Sequence, residues 1–322
     1  FHCTREEVSA FFRDADPVSV DMRVLTEMDL SVFDQDTIRD YRNRFMNLHQ
    51  NHPWTNLEDE LFLRKIGAVG VSQDDNKIHP TIAGLLMFGY EYEIVREFPG
   101  YFLDYQEHFD ESIRWTHRAI SSSGDWSGNL FDFYFRVIYR LSSDLNIPFV
   151  LNGITRVDNT ELHVALREAL LNTLVHADYY GRQGTVIIRT PQMITFSNPG
   201  DMRISLRAAV GGGVSDPRNS VLMKMFSLIG VGERAGMGIP GLLDIWQRLT
   251  GIAPIYASQF SPNRVTLSMQ IKTIGDKSAI KGKIGDKSAI KGKIGDKSVI
   301  KCDSCNKESS SVEQKLCLII EY

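Results

Sequence analysis

The sequence predicts an α+β protein in which helices pack on one face of a mixed, largely antiparallel sheet, preceded by a mostly helical connector. Three observations predict it. Two short apolar runs, Thr185–Thr190 and Met193–Ser197, are separated only by Pro191 and Gln192, the pattern of a β-hairpin. Before them, Arg167–Tyr180 (REALLNTLVHADYY) sets Ala169, Leu170 and Leu174 at helical spacing, with Leu162, Ala165 and Leu166 continuing the apolar face. After them, Leu242–Leu249 (LLDIWQRL) repeats that spacing and Arg264–Lys272 alternates as a closing strand.

At 322 residues the chain has room for two or three domains with cores of their own. Its hydrophobic content of 43% and aromatic content of 10% are ordinary for a globular protein. A membrane span is not expected, because no run of eighteen apolar residues occurs. There is no basic-then-apolar leader. The chain lacks an initiator Met and stops inside a helical pattern, so it reads as a fragment of a longer protein. Cys3, Cys302, Cys305 and Cys317 do not make a disulfide framework, which points to a cytoplasmic setting.

In chain order, residues 1–16 read as the close of an upstream domain, with Thr4 as a helix cap and Glu6 and Glu7 in the first turn. Residues 17–104 form the connector: Asp34–Leu48 and Leu57–Ile66 have helical spacing, Gly67 suits a C-cap, and His79-Pro80-Thr81 opens the apolar IAGLLMFGY. His49, His52 and His79 lack partners at a metal-ligand spacing and are read as structural. Residues 105–272 form the main domain. Tyr101–His108 alternates as a strand, Trp126–Leu145 reads as an aromatic core helix, Phe149–Val157 is extended, and Asn159 or Thr160 caps the helix containing Arg167–Tyr180. Asp216–Asn219 precedes a helix over Ser220–Leu228.

On that Arg167–Tyr180 helix, Glu168, Asn172 and His176 stand at i, i+4 and i+8, on one stripe. A carboxamide oxygen suits Mg²⁺, and a neighbouring carboxylate can orient or deprotonate a water. A solvated polar face would show the same stripe. Two glycine segments follow: MITFSNPGD (Met193–Asp201), a strand running into an Asn-Pro-Gly turn, and GVGERAGMGIPG (Gly230–Gly241), which opens onto the LLDIWQRL helix. Gly211–Gly213 and Gly232–Gly238 offer backbone N–H groups with little side-chain obstruction. Pro240 and Gly241 stand at a helix start that favours an anion, with Arg218, Lys224 and Arg234 as candidate phosphate partners.

The three segments, about thirty residues apart and in this order, resemble the motifs of the GHKL ATPases. More closely, they resemble the divergent branch found in RecG-like, Schlafen-AlbA-type bacterial transcriptional regulators. The PTIAGLLMFG segment resembles a recurrent stretch of the same regulators. The resemblance implies a GHKL-type α/β sandwich that binds ATP and Mg²⁺. It makes Glu168 the water-activating catalytic residue and Asn172 the Mg²⁺ ligand. His176, Asp178, Asn198, Gly200, Gly232, Gly236 and Gly238 are then cofactor-binding, with the Asn198-Pro199-Gly200 turn at the adenine and the later glycines at the phosphates. Most members carry an Asp where this chain has Asn198 and, past the turn, Asp201; an Asn presents a different donor and acceptor pattern. The resemblance further implies an AlbA-type domain ending at residue 16, a winged helix beginning in 310–322, a DNA partner, and possible homodimers.

The formal charge of −4 is unevenly placed: Lys272–Lys301 carries nine Lys against three Asp, +6, leaving −10 for the rest. This strip holds IGDKSAIKGK twice and then IGDKSVIKCD, a ten-residue period that cannot bury a core. Residues 273–309 are therefore read as a flexible linker, with contact to nucleic-acid phosphate as the other reading. Cys302 and Cys305, followed only by Cys317, are too few for a zinc site. Val312–Tyr322 has the spacing of a first helix. The function expected is nucleotide-dependent switching in a DNA-binding regulator with slow or absent hydrolysis; an ATPase that remodels DNA and a nucleotide-free scaffold stand beside it. No GxxxxGK[ST] sequence occurs to support a P-loop motor.

Overall fold

Side-chain caps set where several helices begin. Asp34 accepts from the Asp36 N–H and starts α2 (Gln35–Leu48), Thr81 accepts from Gly84 and starts α4 (Ile82–Phe88), and Ser205 accepts from Ala208 and starts α8 (Leu206–Gly211). In this computed structural model the described residues are 5–16, 18–143, 151–152, 155–156, 161–212, 216–232, 238–260 and 262–271. The chain divides into two units, Phe1–Lys272 and Thr273–Tyr322. The second, with the ten-residue repeats, Cys302, Cys305, Cys317 and the 312–322 pattern, lies outside the described residues, as do Cys3, Thr4, Asn159 and Thr160.

The amino-terminal part is helical. After α1 (Arg5–Ala15), α2 buries Ile38, Tyr41 and Phe45 on one stripe, and α3 (Asp59–Ile66) buries Phe62, Leu63 and Ile66 before Gly67 caps it. A two-stranded ribbon of β1 (Val69–Val71) and β2 (Ile78–Pro80) leads into α4, every residue of which is buried, and then α5 (Glu91–Glu97). His79 is held by the Met28 carbonyl (2.7 Å) and Asp75 (2.9 Å), and His49 by the Leu228 carbonyl (3.0 Å).

The main sheet has six strands in the order β4-β3-β7-β8-β10-β9. They are β3 (Leu103–Glu107), β4 (His117–Ile120), β7 (Thr185–Arg189), β8 (Met193–Pro199), β9 (Ile255–Phe260) and β10 (Asn263–Gln270). A small ribbon, β5 (Leu151–Asn152) with β6 (Thr155–Arg156), stands apart from it. Within the six-stranded sheet β3 and β7 run parallel and every other neighbour pair is antiparallel, so the architecture is mixed α+β as expected. The parallel pair needs a crossover, and α6 (Leu130–Ser143) and α7 (Glu161–Val175) fall within it. Two further helices, α9 (Ser220–Leu228) and α10 (Gly238–Thr250), complete the described part, and α7 packs against α6, α9, α10 and β8. One apolar cluster runs from Leu25 to Met269 through the helical part and the sheet. The buried Tyr41 hydroxyl donates to the Met225 carbonyl (2.7 Å), tying α2 to α9. No helix among the described residues is long and apolar enough to cross a membrane.

Two boundaries differ from the sequence reading for local reasons. The aromatic helix starts at Leu130 instead of Trp126, because Asn129 accepts from the Asp132 N–H (3.0 Å) as its cap while the Trp126 indole donates to the Ile120 carbonyl (3.0 Å). The hairpin strand β8 continues through Asn198 and Pro199, which pair with Val265 and Arg264 of β10, so only Gly200 is left to turn.

Gly84 lies where α4 meets the β1 approach: a Cβ there would sit 1.9 Å from the Ala68 carbonyl oxygen. Because the obstacle is backbone, Gly84→Ala is expected to cost about 1–3 kcal/mol or more, a fall in melting temperature of roughly 5 °C or more at ~2–4 °C per kcal/mol. Calorimetry of the two proteins checks it; an unchanged midpoint would contradict this packing.

Candidate active site

Helix α7 supplies the first elements. It is buried almost all round, and Glu168, only 7% exposed, is taken in with its apolar residues. The side-chain amide of Asn172, one turn on, donates to Glu168 Oε1 (3.1 Å). Burial raises the Glu168 pKa above the ordinary carboxylate range, and the Asn172 hydrogen bond only partly opposes it. With its nitrogen on Glu168, the carboxamide of half-buried Asn172 turns its oxygen the other way, the atom a hard cation such as Mg²⁺ would take. Two buried phenols feel its charge. Tyr134 of α6 and Tyr256 of β9 are raised above their ordinary values by burial, and the charge of Glu168 adds to both shifts. The Tyr134 hydroxyl is buried without a hydrogen-bond partner among the described residues.

His176 follows the last residue of α7, and its N–H still makes the helical bond to the Asn172 carbonyl (3.1 Å). Burial, aided by Arg218 and Arg203 and opposed by Asp216, pushes its pKa down to about 4, so the imidazole is neutral near pH 7. His176 thus has Arg218, Arg203 and Asp216 around it at the helix end, one turn beyond Asn172. Asn219 closes that end, giving its side-chain amide to the carbonyls of Val175 (3.0 Å) and Ala177 (2.9 Å).

The turn after α7 meets the turn after β8. The Asp178 N–H donates to the Pro199 carbonyl (2.9 Å), and Gly200 turns with φ +95° so close that an added Cβ would lie 2.9 Å from the Asp178 Cβ. The Asp178 carboxylate is engaged by Arg13 of α1 (3.0 Å) and by the Tyr180 N–H (3.1 Å). Asn198 is buried, its amide donating to the Pro199 carbonyl (3.2 Å). Gly232 has φ +92°, and an added Cβ would lie 2.0 Å from Leu171 Cδ2, which places this glycine against α7. Gly238 is the first residue of α10; Gly213, Arg234 and Gly236 lie outside the described residues.

The candidate phosphate cations are placed differently from the sequence expectation. Lys224 donates to the Lys65 carbonyl (2.9 Å). Arg218 is buried and bound to the carbonyls of His176 (3.4 Å) and Asp201 (3.0 Å) and to Asp14. Arg218 is thus consumed in holding the frame, whereas Lys224 remains exposed. The sequence reading also missed Arg13, Asp14, Asn219, Tyr134 and Tyr256, whose partners lie far away in sequence and leave no local pattern.

Comparison with known proteins adds little chemistry. The family described as Domain of unknown function (DUF8451) matches residues 9–104. No curated protein matches the sequence. The crystal structure of the DIP2311 protein from Corynebacterium diphtheriae is similar in fold, with a TM-score of 0.58 at 16% identity over 81% of this chain. This chain spans 49% of that protein's length.

A buried carboxylate with a raised pKa has a definite pH signature. The contribution of Glu168 to stability is fully present below the unfolded carboxylate pKa and is lost as pH rises through the higher folded pKa. Glu168→Gln removes the ionisation, so its melting temperature should exceed wild type near pH 7 and converge on it below about pH 4, under the unfolded-state pKa. Thermal unfolding of both proteins between these values checks it, and a pH-independent difference would refute the assignment.

Proposed function

We propose that this chain is a Mg²⁺-ATP-binding module of the GHKL kind, serving as a nucleotide-dependent switch in a DNA-binding transcription regulator, with slow hydrolysis. The observation that carries the reading is the Glu168–Asn172 pair on α7, with Gly232 packed against that helix at Leu171 and Gly200 against Asp178 in the turn that follows it. The chain order supports it: helix α7, hairpin β7–β8, glycine turn, glycine segment, helix α10 and the β9–β10 pair follow the order of the GHKL motifs, and α7 with α10 over β7-β8-β10-β9 is read as that sandwich.

Each residue then has a task that its chemistry allows. Bound Mg²⁺ would shield the phosphate charge, held through the Asn172 carboxamide oxygen. Glu168, with its raised pKa, would accept a proton from the attacking water. Asp178, Asn198 and Gly200 would border the base, His176 the neutral ground beside it, and Gly232, Gly236 and Gly238 the phosphates. A second reading, a scaffold that keeps the fold without nucleotide, is favoured by one observation: Asn198 donates to its own strand, while Asp178 is already paired with Arg13.

Calorimetric titration and melting curves separate the two. A ligand at a hundred times its Kd stabilises the folded state by about 2.7 kcal/mol, which is roughly 5–10 °C here. Mg²⁺-ATP should give such a shift, and Asn172→Ala should remove its Mg²⁺-dependent part. No heat and no shift at millimolar ATP would select the scaffold. In single-turnover hydrolysis, Glu168→Gln should retain binding and lose roughly a hundredfold in rate; equal, measurable rates would exclude Glu168 from the chemistry.

A further inference from the structure

Helix α1 meets the body with its apolar side outward. Val8, Phe11, Phe12 and Ala15 stand at i, i+3, i+4 and i+7, the spacing of a core-facing stripe, yet all four are exposed, the two phenylalanines by about 70%. No helix or strand among the described residues packs along α1. Polar groups hold it. The Arg13 guanidinium donates to the Asp178 carboxylate (3.0 Å), the Asp14 carboxylate accepts from Arg218, and the Asp14 carbonyl accepts from Arg203 (3.3 Å). A polar attachment of this kind can be exchanged for an equivalent set of hydrogen bonds from a ligand.

The two body side chains that α1 engages lie side by side. Gly200 brings them together: an added Cβ there would stand 2.9 Å from the Asp178 Cβ and 3.4 Å from Arg218 Nη2. Tyr180 supplies a ring beside them, fixed by its own N–H to Asp178 (3.1 Å) and by its hydroxyl to Glu97 (2.7 Å). Arg13 lies over that ring at 4.9 Å. Ile82, Leu86 and Phe98 line the same space as apolar walls, and with Arg13 and Asp14 in place only about 10 Å³ is left, the room of a single water. The body thus offers a carboxylate acceptor, a guanidinium donor and an aromatic face, and α1 occupies all three. Arg13 is a planar donor on the ring and the carboxylate; Asp14, next in sequence, is an acceptor on the guanidinium. A donor beside an acceptor on a flat group is also the pattern of the adenine edge, whose amino group adjoins a ring nitrogen.

We propose, on the nucleotide reading given above, that Arg13 and Asp14 are a built-in stand-in for the base: they close the base end of the site, and an adenine that binds at Asp178 and Arg218 displaces α1. The amino group of the base takes the place of the Arg13 N–H on Asp178, a ring nitrogen takes the place of the Asp14 carboxylate on Arg218, and the base lies on Tyr180. Both buried charges keep a hydrogen-bond partner through the exchange. Docked α1 lowers the apparent affinity for nucleotide in proportion to the molecules it closes. Once displaced, its eleven residues are too few to hold a helix alone in water, so nucleotide occupancy is converted into unfolding of this segment. The Arg13–Asp178 pair then regulates the site that it covers.

Calorimetry and hydrogen exchange on the full chain test it. Arg13→Ala and Asp14→Ala, each checked by melting curve, should bind Mg²⁺-ATP at least roughly fivefold more tightly than wild type, because α1 no longer has to be displaced. Phe11→Ser, on the outward face of the same helix, should bind as wild type does. Amides of residues 9–15 should exchange at least roughly tenfold faster with saturating Mg²⁺-ATP than without it, and Arg13→Ala should show the fast exchange with no nucleotide present. ITP, which carries a carbonyl where adenine has its amino group, should leave these amides protected at concentrations at which ATP releases them. Equal ATP affinity in wild type and both variants, exchange in α1 unchanged by bound ATP, an equal gain in Phe11→Ser, or equal release by ITP would overturn the proposal and leave the nucleotide reading standing. No ATP binding by wild type or by either variant would overturn the nucleotide reading, and this proposal with it.

Discussion

Helix α7 is buried over most of its surface, and its exposed charge, Glu161, is confined to its first turn. Its leucines and alanines pack against α6, α9, α10 and β8, and in their midst it carries the carboxylate of Glu168. A desolvated carboxylate with one carboxamide partner is an unfavourable group to bury, and its pKa rises in response. The fold keeps it there because the surrounding apolar contacts, from Ala165 to Val175, far outweigh a single ionisable group. Strain of this kind concentrates at places where chemistry is done, which is why the site is read from this helix.

The amino-terminal helix α1 meets the turn that follows the same helix. Asp178 is paired with Arg13, Arg218 with Asp14, and the backbone of Asp14 with Arg203, so α1 is fastened to the turn that follows α7. Arg13 also lies over the Tyr180 ring at 4.9 Å. The position of α1 and the conformation of that turn are therefore joined through side chains that cannot rearrange singly without leaving a buried charge unpaired. Both Phe11 and Phe12, one or two residues earlier on α1, are about 70% exposed, so the helix meets this turn with polar groups and solvent with apolar ones.

Local pattern carried much of the architecture. The spacing of Ile38, Tyr41 and Phe45, the Thr81 cap, the Thr185–Ser197 hairpin and the Ser220–Leu228 helix all follow from periodicity and short-range hydrogen bonding, and all are present. What the pattern could not show is where polar side chains far apart in sequence would meet. Lys224 and Arg218 read as phosphate partners because they flank glycine segments, but the fold directs one to the Lys65 carbonyl and the other to Asp14 and the carbonyls of His176 and Asp201. The aromatic stretch Phe131–Leu141 read as core, and Phe131, Phe133, Tyr134, Val137 and Leu141 are buried; its remaining face brings Arg136, Tyr139 and Arg140 to a groove beside β4.

The parallel pairing of β3 with β7 has a consequence for how the chain folds. Leu103 pairs with Thr185 across a stretch that contains β4, α6 and α7. The β7–β8 and β9–β10 hairpins close over short loops and can form early, whereas the β3–β7 ladder must wait for the long crossover to be closed. Closing that crossover is the non-local step that the parallel β3–β7 ladder imposes on assembly of the sheet.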